Sequence, residues 1–206
     1  MATALTKGAQ TRQAILNAAI ARFGRDGYRS ASVAEIARDA SVGGTVAYAY
    51  FPNKEALFLA AVDHDAAAVI EEGLSSAIAE ANIPDWREKL IFTLLEALED
   101  HPLARRLLAG LEPEVTVRVL EIPALAELRR ACAERLRSEQ AHGTVRPDID
   151  PVTMANGIVA IMLSLLMSVV QLGGNAAVLY GDDIAAVFEA AIERTPPRRS
   201  RPARGD

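Results

Sequence analysis

From Thr11 to Ile192 the apolar residues recur every three or four positions, and no stretch alternates apolar with polar long enough to read as a strand. That period restricts the chain to packed helices, so the expected fold class is all-α. Prolines, glycines and capping residues divide it. A first helix is predicted from near Thr11, with Ala14, Ile15, Ala18, Ala19 and Phe23 on one face, ending at Gly24 and Gly27. Ser32 and Glu35 form a capping box for a short second helix through Ile36 to about Ala40, with both side chains reaching backbone donors. Ser41-Val42-Gly43-Gly44 reads as a turn, and Thr45 to Phe51 as a brief helix stopped by Pro52. Asn53 caps a long helix from Lys54 to about Glu80.

Further helices are predicted after Pro84-Asp85, after Pro102, and from beyond Pro123 to Gly143. Asp150-Pro151 opens a helix to about Leu172, and Asp182 or Asp183 caps the last, which carries the stripe Ile184, Val187, Phe188, Ala191 and Ile192. The end, rich in Pro and Arg, reads as a disordered basic tail over residues 196–206.

The net charge of −5 over 206 residues conceals an asymmetry. Residues 1–54 carry 7 Lys+Arg against 3 Asp+Glu, residues 55–194 carry 11 against 23, and residues 195–206 carry 4 against 1. A cationic head on an anionic body is expected where a small region meets a polyanion. The single cysteine, Cys132, excludes an internal disulfide. Met1 to Gln10 lacks the apolar core of a signal peptide, and Ile158 to Val170, interrupted by Ser164 and Ser168, is shorter than the roughly 20 residues that span a bilayer. A cytoplasmic location is expected. His64, His101 and His142 lack metal-ligand spacing, and no nucleophile elbow or phosphate-cradling loop appears, so neither enzyme, metal nor cofactor is expected.

Two short helices joined by a tight turn inside a basic stretch describe a helix-turn-helix. Val33, Ile36, Ala37, Val42 and Val46 are expected to lock the pair, leaving the second helix free for a major groove. The run from Val42 to Leu57, with Tyr48, Tyr50, Phe51 and Lys54 at their spacing, resembles the DNA-binding signature of the TetR family of bacterial transcriptional regulators. The upstream half, Ile15 to Phe23, Gly27-Tyr28, Ser32-Val33 and Ile36-Ala37, is similar too. The resemblance implies a three-helix DNA-binding domain over residues 1–54 and a larger helical effector-binding and dimerisation domain over residues 55–195. It implies a homodimer that holds palindromic operator DNA, through an interface formed by the last two helices, and that a small-molecule effector releases. A helical enzyme or an adaptor with a non-functional helix-turn-helix is the alternative.

Lys54, at a helix N-terminus, can share a phosphate with free backbone N–H groups. The hydroxyls of Tyr48 and Tyr50 suit phosphate oxygens, and Thr45 suits a base or a phosphate. Val46 suits packing or a thymine methyl, and Ser32 can cap its helix and still face the backbone. Arg29, Arg12 and Lys7 are peripheral candidates. The chain departs from the family pattern at Gly43, where Ser or Thr is usual, and at Gly44, where a long polar side chain is common. With no Arg, Asn or Gln on the helix, specificity is expected from close backbone approach and DNA shape. For the effector pocket, the candidate lining residues are His64, Trp86, Phe92, His101, Cys132 and Met162.

Overall fold

In the computed structural model the described residues are 6–77, 86–113, 121–173 and 175–192; among them the chain is all helix, without a strand. The elements are α1 (Lys7–Ser30), α2 (Val33–Asp39), α3 (Gly44–Tyr50), α4 (Lys54–Ala77), α5 (Trp86–Asp100), α6 (Pro102–Leu108), α7 (Pro123–His142), α8 (Pro151–Leu172) and α9 (Asn175–Ile192). The tail 196–206 and the Pro84-Asp85 opening lie outside the described residues.

Local chemistry explains most boundaries. The Ala56 N–H donates to Asn53 Oδ1 at 2.7 Å, and the Thr153 N–H to the Asp150 carboxylate at 2.8 Å, so both expected N-caps are in place. Gly143 closes α7 at φ 79°. Three boundaries differ from expectation. Helix α1 starts four residues before Thr11, because the Thr6 hydroxyl accepts from the Ala9 N–H. It also continues past Gly24 and bends at Gly27, whose φ of 78° breaks the helical run without ending it. The last helix starts at Asn175, well before Asp182.

The buried apolar side chains form two clusters, and α4 contributes to both. The N-terminal cluster gathers Ile15, Phe23, Ile36 and Ala47 with Leu57 and Phe58 of α4, and also Leu103, Leu107 and Ile122 from farther along. The larger cluster joins Val69 and Ile70 of α4 to Leu90, Leu94, Leu128, Leu136, Ile158 and Met162. Helix α8 is 22 residues long with a mean hydropathy of 2.0. It is the one described helix long and apolar enough to cross a membrane, so the expectation that the stretch is too short is corrected. Counting only Ile158 to Val170 left out its first two turns. One face, with Ala155, Ile158, Val159 and Met162, is core of the body.

Glycines let α6 sit against α1. A Cβ on Gly24 would stand 2.8 Å from Pro102 Cβ, and one on Gly27 would stand 2.7 Å from Glu112 Oε1. Glu112 is buried, accepts from the Tyr28 N–H at 3.0 Å, and receives Arg106 Nε at 2.8 Å. The start of α6 is tied to α4 instead. Buried Asp65 accepts from the N–H groups of Leu103 and Ala104 at 3.1 and 2.8 Å.

Candidate nucleic-acid interface

The helix-turn-helix is held from three sides. Arg22 of α1 reaches Asp39 of α2 at 2.6 Å and Asp26 at 3.4 Å. Ser32 caps α2, accepting from the Glu35 N–H at 3.2 Å. The capping box differs from expectation on its other side: the Glu35 carboxylate accepts from the Ser32 hydroxyl at 2.8 Å rather than from a backbone donor. Beneath lie Phe23 and Phe58, edge to face with ring centroids 4.9 Å apart, and Tyr28 at 4.8 Å from Phe58.

The turn is not made by its glycines. Ser41 takes the left-handed conformation, φ 57°, and the chain closes as a Schellman motif. The Val42 N–H donates to the Ala37 carbonyl at 2.9 Å and the Ser41 N–H to that of Arg38 at 3.0 Å. Gly43 is the N-cap of α3 in ordinary extended geometry, φ −71°, and Gly44 is its first residue. Neither glycine is required by anything inside the chain. A Cβ on Gly43 would meet only Val46, at 3.9 Å, and one on Gly44 would meet nothing within 4 Å.

On α3 the side chain that docks inward is Ala47, fully buried, whereas Val46 is 39% exposed. The expectation that Val46 locks the pair is therefore corrected. One residue along a helix is a 100° rotation, and the neighbour takes the inner position. Gly43, Gly44, Thr45 and Tyr48 are exposed, Tyr48 by 53%, and Tyr50 and Ser32 are half-buried. Lys54 is half-buried at the start of α4; its ammonium donates to the Arg29 carbonyl at 3.2 Å and lies 4.7 Å from the centre of the Tyr28 ring. Of the peripheral candidates, Arg12 packs its guanidinium over Phe51 at 5.1 Å, and Lys7 is exposed. The aromatic scaffold and the Arg22 tether were not among the expected functional positions. Their signal was available as the Gly27-Tyr28 pair and the Arg22 to Asp26 spacing.

In the body, an apolar cavity of about 60 Å³ opens between α4, α5, α6, α7 and α8. Of the six expected pocket residues, Met162 alone lines it. His64 is exposed and pairs with Gln13 at 2.8 Å. Phe92 faces solvent at 53% exposure, so its place in a pocket is corrected: α5 turns Leu90 and Leu94 inward instead. Trp86 and Cys132 are buried in the core, and burial pushes the Cys132 thiol up to about 12. His101 bridges Asp65 at 2.7 Å and Glu72 at 3.2 Å.

A capped helix pair presenting the outer face of α3, carried on a larger helical body, is a helix-turn-helix arrangement. Residues 15–61 match the family described as bacterial regulatory proteins, tetR family. Solved structures extend the likeness over the whole chain. A regulator from Mesorhizobium loti assigned to the TetR family is 25% identical, with a TM-score of 0.72 over 92% of this chain and 100% of that one. The fatty acid degradation regulator FadR from Bacillus halodurans is 19% identical, with a TM-score of 0.68 over 93% and 100%. A TetR transcriptional regulator from Chloroflexus aurantiacus is 21% identical, with a TM-score of 0.63 over 93% and 100%. No curated protein matches the chain by sequence. Residues 15–61 thus match the DNA-binding domain of the TetR family, and the fold of the whole chain is similar to that of TetR-family regulators.

Proposed function

We propose that the protein is a cytoplasmic, ligand-responsive repressor that binds a palindromic operator as a homodimer and is released by a small molecule, not an enzyme. The exposed outer face of α3 carries this reading: Tyr48 and Val46 stand out from a helix whose opposite side is sealed by Ala47. Ser32, Gly43, Gly44, Thr45, Val46, Tyr48, Tyr50 and Lys54 are the residues we assign to the duplex. Lys54 uses one of its three donors on Arg29, which leaves donors for a phosphate. The open space around Gly43 and Gly44 supports close backbone approach in place of base reading by long side chains.

The functional division at residue 54 separates the DNA-binding head from the effector and dimer body, while α4 interlocks their cores. Dimerisation through α8 and α9 is supported by the apolar residues left outward there, among them Val152 and Val187. Two heads so held reach successive major grooves, roughly 34–36 Å apart. An effector that favours one head spacing would lower operator affinity by moving α4.

Fluorescence anisotropy with a DNA fragment from the gene's own upstream region tests this. Salt-sensitive, saturable binding of two chains per palindrome is expected. Binding by single chains, or none at low salt, defeats the reading.

A further inference from the structure

We infer that the protein selects thymine in the major groove by contact between methyl groups, through Thr45, Val46 and Ala49 on the outer face of α3. The inference deepens the regulator reading above and rests on it.

Ala47 is fully buried and so fixes which side of α3 meets the core. At 100° per residue, Thr45 and Ala49 stand about 160° from it, the two positions most nearly opposite. Both are exposed. Val46 and Tyr48 flank them, each about 100° from Ala47, and both are exposed as well. The middle of the outer face is therefore a stripe of short side chains ending in methyl groups, with the Thr45 hydroxyl beside it. Ala49 was not among the expected contacts; the inward turn of Ala47 brings it there.

Such a stripe discriminates among bases. Thymine alone offers the major groove an apolar group, its C5 methyl, whereas guanine, cytosine and adenine offer acceptors, a donor, or one of each. Pressed against methyl groups, those polar atoms lose water and gain no partner. The thymine methyl leaves water at a gain. Short side chains reach a base edge only when the backbone comes close, and the start of α3 permits this. A Cβ on Gly44 would meet nothing within 4 Å, and one on Gly43 only Val46. Tyr50 is half-buried, with its hydroxyl 3.5 Å from where a Cβ on Gly8 of α1 would stand. Tyr48, at the margin, is the one long side chain of α3 left facing outward.

The test uses the full chain and the upstream DNA fragment, prepared once with thymine and once with uracil, which pairs alike but lacks the methyl. One buried methyl is worth about fourfold in affinity, so a palindrome with one such thymine in each half-site should lose about sixteenfold. Uracil should weaken binding at least fivefold, and an unrelated fragment less than twofold. A smaller loss on the upstream fragment, or an equal loss on both, would overturn the inference. A second chain carries Thr45→Ser, Val46→Ala and Ala49→Ser together, which alters the stripe and leaves Ala47 in place. It should melt as the parent does, and its thymine-to-uracil affinity ratio should fall at least threefold. A smaller fall, or a loss shared equally by the two fragments, would overturn the assignment to α3, since readout of DNA shape alone is indifferent to these methyl groups. A parent chain that binds neither fragment refutes the regulator reading itself, and is distinct from one that binds both alike, which refutes only the methyl contact.

Discussion

The two cores are packed differently. The N-terminal cluster closes on aromatic rings, Phe23 against Phe58 at 4.9 Å and Tyr28 beside them, and is braced by the Arg22 to Asp39 pair and the Ser32 cap. The body cluster is mainly aliphatic apart from Trp86 and Phe188, and it leaves about 60 Å³ unfilled. On the proposed function, a head that reads DNA by shape has to hold α3 in one place, and a body that responds to a ligand has to keep room for it. The interlocking aromatic edges lie at one end of the chain and the void at the other.

The largest test of this contrast removes a ring from the head. Phe58→Ala should cost about 3–5 kcal/mol in urea unfolding, the range for truncating a buried aromatic whose surroundings cannot collapse. A loss under about 1.5 kcal/mol would mean the head core is looser than its geometry. The next test changes sign across the molecule. Ala19→Val overfills a fully buried head position and should cost about 1–3 kcal/mol, whereas Val159→Leu, at the edge of the void, should be neutral or gain up to about 1–2 kcal/mol. If both destabilise equally, the contrast fails.

How much of this was legible in the chain depends on distance along it. Caps act within a turn, so Asn53, Gly143 and Asp150 showed themselves, as did the helix pair around Ser41. The left-handed Ser41 was hidden because Gly43 and Gly44 follow two residues on and look like the better candidates. Asp182 and Asp183 drew attention from Asn175 for the same reason: several residues can cap, and only packing chooses. Val46 and Ala47 differ by one position, and period counting does not resolve a single step. The cavity was least legible. It is the space left between side chains from five helices, so no local pattern announces it, and large or polar residues such as Phe92 and His64 were more conspicuous than Val159 or Leu166.

A smaller effect concerns the joint between α4 and α6. Burial opposes a charge on His101, but the hydrogen bonds to Asp65 and Glu72 outweigh it and raise its pKa above the ordinary histidine value. A folded-state pKa above the unfolded one means that the stabilisation is complete below about pH 6.5 and is lost as pH rises through the raised value. Unfolding free energy should therefore decline across that window, and His101→Asn should flatten the decline. A wild-type profile that rises with pH there, or an Asn variant with the same slope, would show that the joint does not depend on the proton.

The smallest stability effects separate the turn from the recognition helix. Ser41→Gly relieves a left-handed serine and should add about 1 kcal/mol. Gly43→Ser supplies α3 with the capping hydroxyl it lacks and should add a few tenths of a kcal/mol. In the folded chain both changes are favourable, since a Cβ at Gly43 meets only Val46 at 3.9 Å. On DNA they should part. Ser41→Gly leaves the outer face of α3 as it was and should keep operator affinity within twofold, while Gly43→Ser places a side chain where the proposed docking brings the duplex and should weaken it severalfold. An unchanged affinity in Gly43→Ser would mean that the glycine pair serves no close approach, and base preference would then have to come from Thr45, Val46 and Tyr48 alone.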